Sequence, residues 1–115
     1  MNCRRGDVVL VLFPDSNLRT AKRRPALVVQ ADRLEAELPQ TIVAMITSNT
    51  ARAGHASRVT VLPGGEGAKA SGLLMESVIM TDNLATVRYS EIDRVIGSLR
   101  DLAEIDAALR PTLAL

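Results

Sequence analysis

Three residues stand where a hydrophobic run meets a polar one, and each is of a type that can act on a phosphate. Arg24 ends the cationic triplet Lys22-Arg23-Arg24 and is followed by Pro25 and the run Ala26-Leu27-Val28-Val29. Proline biases its predecessor towards extended geometry, so Arg24 is expected at the entrance of a strand, its position set by the scaffold. A guanidinium held there offers forked donors to phosphate oxygens and stays charged at physiological pH. A Lys-Arg-Arg run taken alone is more often merely a solvated loop. Thr47 belongs to "ITSNT", which clusters the hydroxyls of Thr47, Ser48 and Thr50 at the end of an apolar run. Such hydroxyls often only satisfy turn backbone. If the run that begins after Arg24 and the run that ends at Thr47 are neighbouring antiparallel strands, however, both residues fall at one end of the sheet, and a cation beside a hydroxyl is a phosphate site. Asp82 follows the run "SVIM" and precedes Asn83; it is the best-placed carboxylate, although Asp-Asn at a turn commonly serves as a local backbone acceptor.

Other chemistries are excluded by counting. His55 is the only histidine, so a histidine pair for acid and base work cannot form within one chain. Cys3 is the only cysteine, which excludes an intrachain disulfide and leaves no metal-binding spacing; a reducing compartment is expected. No metal or other cofactor is called for. The glycine-rich "GGEGAKASG" lacks the Gly-Lys-Ser/Thr ending of a nucleotide-binding loop and reads as a flexible connection. With Phe13 and Tyr89 the only rings, there is no aromatic platform on which to stack nucleic-acid bases. The formal net charge is +1, so attraction to phosphate must come from local clustering. Residues 4–24 supply it, with Arg4, Arg5, Arg19, Lys22, Arg23 and Arg24 against Asp7 and Asp15. The basic N-terminus has no following apolar signal region, and no apolar run approaches a membrane span, so a cytoplasmic protein is expected.

The elements that must position these groups are short. "GDVVLVLFP", "PALVVQ" and "TIVAMITS" read as strands, "SRVTVLP" as a half-exposed strand, and "SVIMTD" and "ATVRYS" as two shorter strands joined tightly at Asp82-Asn83. "DSNLRTAKRR" reads as a loop, and residues 32–38 are compatible with a helical turn closed by Pro39. From Ser98 the period becomes helical, with Leu99, Leu102, Ile105 and Leu109 on one face and Ser98 and Asp101 in capping-box spacing. At 115 residues the chain has room for one domain, 1–115. Many strands and one terminal helix predict a mainly β fold, a strongly bent antiparallel sheet or partly open barrel with a C-terminal helix.

The order "RRGDVVLVLFP", "KRRPALVVQ", "IVAMITSNT", "SVIMTDNLATV" and a terminal helix resembles the MazF/PemK family of toxin endoribonucleases from bacterial toxin-antitoxin systems, over nearly the whole chain. The resemblance implies an SH3-like small β-barrel that forms a homodimer and cuts single-stranded RNA without a metal. In such enzymes the ribose 2′-OH attacks the adjacent phosphate, leaving a 2′,3′-cyclic phosphate and a 5′-OH. The family's catalytic Arg and Thr fall on Arg24 and Thr47, and its acidic residue on Asp82, expected to orient Arg24 or assist the 2′-OH. Arg19, Lys22, Arg23, Ser48, Asn49 and Arg58 become the candidate RNA-binding residues. The implied partner is a cognate antitoxin, a small protein whose acidic disordered tail folds over the basic groove, with contact expected at Arg19 to Arg24. Where the family often has acid-Gln-hydrophobic-Arg-Thr, this chain reads Asp82-Asn83-Leu84-Ala85-Thr86, so an expected Arg is missing at Ala85, the Gln is shortened to Asn83, and Arg58 or Arg88 is left to compensate. A non-catalytic module of the same shape, binding a protein such as gyrase, is the alternative.

Overall fold

The computed structural model describes residues 3–14, 17, 19–32, 34 and 38–115. Its strands are β1 (Asp7–Pro14), β2 (Ala21–Val28), β3 (Gln40–Thr47), β4 (Arg58–Val61), β5 (Ser77–Arg88) and β6 (Ile92–Ser98). They form one antiparallel sheet in the order β4-β5-β3-β2-β1-β6. Helix α1 (Glu66–Ser71) lies between β4 and β5, and α2 (Ala103–Leu113) follows β6.

The sheet has to be rolled. Only the 3₁₀ turn Tyr89–Glu91 separates β5 from β6, yet β3, β2 and β1 lie between these strands in the sheet. In a flat sheet four strand spacings come to about 19 Å. The four steps from Arg88 to Ile92 reach at most about 14 Å. Curling closes the gap, and it also gives the sheet two buried faces. One cluster, Val9, Val11, Ala26, Val28, Val43, Met45, Val87 and Ile92, is built from strand residues, with Cys3 and Tyr89 packed against it. The other face carries Val8, Leu27, Ala44, Ile46 and Ile79 and is covered by Ile105 of α2. This double burial explains why β1 reads as a continuous apolar run without alternation. The ladder does not close, since β4 and β6 remain its edges. The expected mainly β fold with a C-terminal helix is therefore present as a rolled, unclosed sheet.

Several expected elements differ. β2 starts at Ala21, so Lys22, Arg23 and Arg24 lie within a strand, paired with Phe13, Leu12 and Val11 of β1, and not in a loop. The two short strands expected around Asp82-Asn83 are one strand, β5, bent by a bulge: Ala44 pairs with Leu84 and the next residue, Met45, with Met80. Thr81, Asp82 and Asn83 are the extra residues. β6 is a strand that the sequence pattern does not announce. "GGEGAKASG" is partly helical, because α1 occupies Glu66–Ser71 and ends on Gly72 at φ 74°, in the left-handed region that favours glycine. The terminal helix begins at Ala103, with Asp101 Oδ1 accepting from the Ala103 amide at 3.0 Å, so Ser98 closes β6 and no Ser98–Asp101 capping box forms. Of the proposed turn at 32–38, residues 33 and 35–37 lie outside the described residues. No helix among the described residues is long and apolar enough to cross a membrane.

Candidate active site

The ladder between β2 and β3 is only three pairs long, from Val28↔Val43 to Ala26↔Met45. Beyond Ala26, β2 continues against β1 alone and β3 against β5 alone. Pro25 stands at the point of separation and has no N–H to give to a ladder. The two strands therefore part, and a cleft of about 640 Å³ opens between them. Because it lies between diverging strands, it collects residues that a flat sheet would send to opposite faces: Arg23, Arg24 and Pro25 from β2, and Met45, Ile46 and Thr47 from β3. Continuing the β2–β3 register two residues past Ala26↔Met45 sets Arg24 level with Thr47. The two residues expected to act together line one cleft.

Its electrostatics suit an anion. The described lining residues include two cations, Arg23 and Arg24, and no carboxylate. Arg23 is also held by Asp93 of β6, Nε to Oδ2 at 3.3 Å. The residue Arg24 is exposed and its side chain makes no ion pair or hydrogen bond with the described residues, so its fork of donors is available to a ligand. The Thr47 hydroxyl oxygen accepts the Asn49 amide at 3.1 Å. That contact fixes the oxygen and leaves the hydroxyl proton free to be donated. Ser48 continues the polar lining, and Asn83 joins it from the β5 bulge.

Other expected site residues are placed differently. Asp82 does not line the cleft and does not hold Arg24. Arg58 grips its carboxylate, NH2 to Oδ2 at 3.0 Å and Nε to Oδ1 at 3.4 Å. The Asp82 segment is the bulge of a continuous strand and not a turn between two strands. The Arg58 hydrogen bonds, foremost, hold its carboxyl below the ordinary value of 3.8, with the Arg58 charge acting in the same direction. A carboxylate stabilised in this way is a weak proton acceptor near neutrality. Arg58 is thus spent on Asp82 and on the Arg52 carbonyl, at 2.7 Å, outside the cleft lining. Asn49 uses its carboxamide oxygen to cap the 3₁₀ turn Thr50–Arg52, accepting from the Ala51 amide at 3.1 Å. Arg19 and Lys22 are exposed outside the lining, and Arg5, from the same basic cluster, bonds Asp106 of α2 at 2.6 Å. Ala85, where an Arg was expected, packs against the first core cluster.

Some lining residues carry no signal in the sequence. Leu74 and Met75, in the connection after α1, border the cleft and are 96% and 59% exposed, giving its lining an apolar part beside the cations. Asn83 reads in sequence only as a shortened Gln; the bulge is what aims it inward. Among the described residues no three His, Cys, Asp or Glu side chains gather as metal ligands.

A family model for the PemK-like, MazF-like toxin of type II toxin-antitoxin systems matches residues 4–113. The endoribonuclease MazF6 of Mycobacterium tuberculosis is 36% identical over 107 residues, 90% of each chain. Among solved structures, an endoribonuclease in complex with its cognate antitoxin from mycobacterial species has a TM-score of 0.75 at 18% identity, covering 98% of this chain and 96% of that one. A MazE-MazF structure from Deinococcus radiodurans gives 0.74 at 21% identity, covering 100% and 99%. These two likenesses speak for the fold alone, whereas the family model and the 36% identical relative each span most of the sequence. On that ground the chain belongs to the PemK-like, MazF-like toxins of type II toxin-antitoxin systems.

Proposed function

We propose that this family member is an endoribonuclease toxin that cuts single-stranded RNA at the Arg24–Thr47 cleft. The observation that carries the reading is the meeting of a guanidinium, unpaired among the described residues, and an oriented hydroxyl in a cleft whose described lining has no carboxylate. In the reaction the ribose 2′-oxygen gives up its proton and bonds to the adjacent phosphorus, and the bond from phosphorus to the 5′-oxygen breaks. The products are a 2′,3′-cyclic phosphate and, once the leaving oxygen is protonated, a 5′-OH. Negative charge builds on the equatorial phosphate oxygens on the way. Arg24 donates its fork there and Thr47 its hydroxyl, and both interactions strengthen as the charge grows. Arg24 serves as an electrostatic stabiliser, since a guanidinium with a pKa above about 12 rarely yields a neutral base. Arg23 and Ser48 bind the flanking chain, with Arg19 and Lys22 adding attraction along β2.

The active form is a homodimer in the cytoplasm, needs no metal, and is restrained by a cognate antitoxin. An acidic, disordered antitoxin tail laid over Arg19 to Arg24 would neutralise the cations that RNA needs, by charge complementarity and ordering on binding. The pure protein is expected to cleave mixed single-stranded RNA in EDTA, with 5′-OH and cyclic phosphate ends identified by end-labelling and mass spectrometry. Uncut RNA would refute the nuclease reading, and if expression still arrested growth it would move the assignment to a protein-binding module. Cleavage that vanishes in EDTA and returns with a divalent ion would refute the metal-independent mechanism.

A further inference from the structure

Thr47 and Asn83 both line the cleft, from the neighbouring strands β3 and β5, and one unbroken set of hydrogen bonds joins their segments. Thr47 Oγ1 accepts from the Asn49 amide at 3.1 Å, and Asn49 Oδ1 accepts from the Ala51 amide at 3.1 Å. The Asn49 carbonyl accepts from the Arg52 amide at 3.1 Å. The Arg52 carbonyl accepts from Arg58 NH1 at 2.7 Å, and Arg58 turns its other donors onto Asp82, the neighbour of Asn83 in the bulge. The side chain of Arg58 is 16% exposed, less than the cation of any other ion pair among the described residues. The segment it holds, Ser48 to Arg52, is otherwise exposed and has no buried residue of its own.

We propose that Arg58 and Asp82 are a positioning pair, locking the Thr47–Arg52 turn to the β5 bulge so that the Thr47 hydroxyl and the Asn83 carboxamide keep a fixed relative position in the cleft lining. The consequence for catalysis rests on the RNA-cleaving reading above; the mechanical tie does not. One arginine serves two separate acceptor groups, a backbone carbonyl and a carboxylate, because its planar fork carries donors in more than one direction. A lysine at position 58 supplies the charge without the fork. Loss of the tie lets the turn drift, and small misplacements of a catalytic group are sufficient to slow a reaction strongly.

The test compares wild type with Asp82→Asn and Arg58→Lys, well below their melting temperatures, by amide hydrogen exchange and by single-turnover cleavage. In both variants the Asn49, Ala51 and Arg52 amides, which donate within this network, are expected to exchange about tenfold faster, while Val43 and Ile79 in the core are unchanged. The cleavage rate should fall about tenfold with RNA affinity within twofold, because neither side chain lines the cleft. Unchanged exchange at 49–52 would overturn the proposal, as would faster exchange throughout the core, which would indicate general loosening. A lost rate with unchanged exchange would also overturn it, by showing that Asp82 or Arg58 acts on RNA directly. If wild type cuts no RNA, localised faster exchange still supports the tie, and only the nuclease reading fails.

Discussion

Arg24→Ala is expected to slow RNA cleavage roughly 100- to 1,000-fold, the usual loss when one donor to a developing oxyanion is removed. Its fold should survive. The side chain is exposed and engages no described partner, and a substitution at such a site normally shifts stability by only about 0.5 kcal/mol. The backbone of residue 24 still pairs with Val11 in the variant. Arg24→Lys keeps the charge and loses the fork, so it should recover only part of the rate. Single-turnover cleavage alongside thermal denaturation checks both halves of the expectation. A melted Arg24→Ala protein would make the residue structural, and unimpaired cutting would remove it from the reaction.

Gly97→Ala should be the most damaging small change to the fold. A Cβ at Gly97 would lie 2.6 Å from the Ser71 carbonyl oxygen and nearer still to that of Ala70, both backbone atoms of α1 that cannot swing aside. Relief requires α1 to lift from β6, and overpacking of this kind costs about 3 kcal/mol or more. The damage would extend to the cleft, because Gly72 through Met75, the continuation of α1, form an apolar part of its lining. Gly67 is the matched control. It lies inside α1, and a methyl added there would have nothing within 4 Å, so Gly67→Ala should stabilise by about 0.5–1 kcal/mol. Urea denaturation of both variants reads the contrast directly; equal, small effects would mean that α1 is not seated on β6.

The strands β1, β3 and β4, the second half of β2 and the terminal helix are legible in the sequence because each is a run whose period or β-branched content survives burial. The cleft is legible for a narrower reason: Arg24-Pro25 and Ile46-Thr47 mark the ends of two runs, and antiparallel pairing needs no further information to bring those ends together. What escapes is imposed by tertiary contact. The bulge at Thr81-Asp82-Asn83 uses the residue types of a turn, so one bent strand reads as two. β6 pairs with β1 through two register shifts, which scramble the period-2 pattern of "IDRVIGS" until no alternation is left to see. Helix α1 is only six residues long, is flanked by glycines and has no side-chain N-cap; its seat against Gly97 supplies what so short a segment cannot. The family resemblance offers Asp82 as a partner for Arg24, and sequence cannot show that Arg58, 24 residues away, reaches it first.

The most direct measurement is a structure of the protein bound to single-stranded RNA made uncleavable by a 2′-deoxy sugar at the cut site. The account predicts the Arg24 guanidinium and the Thr47 hydroxyl both within about 3 Å of oxygens on the same phosphate. A scissile phosphate seated elsewhere, or those two side chains contacting different phosphates, would contradict it.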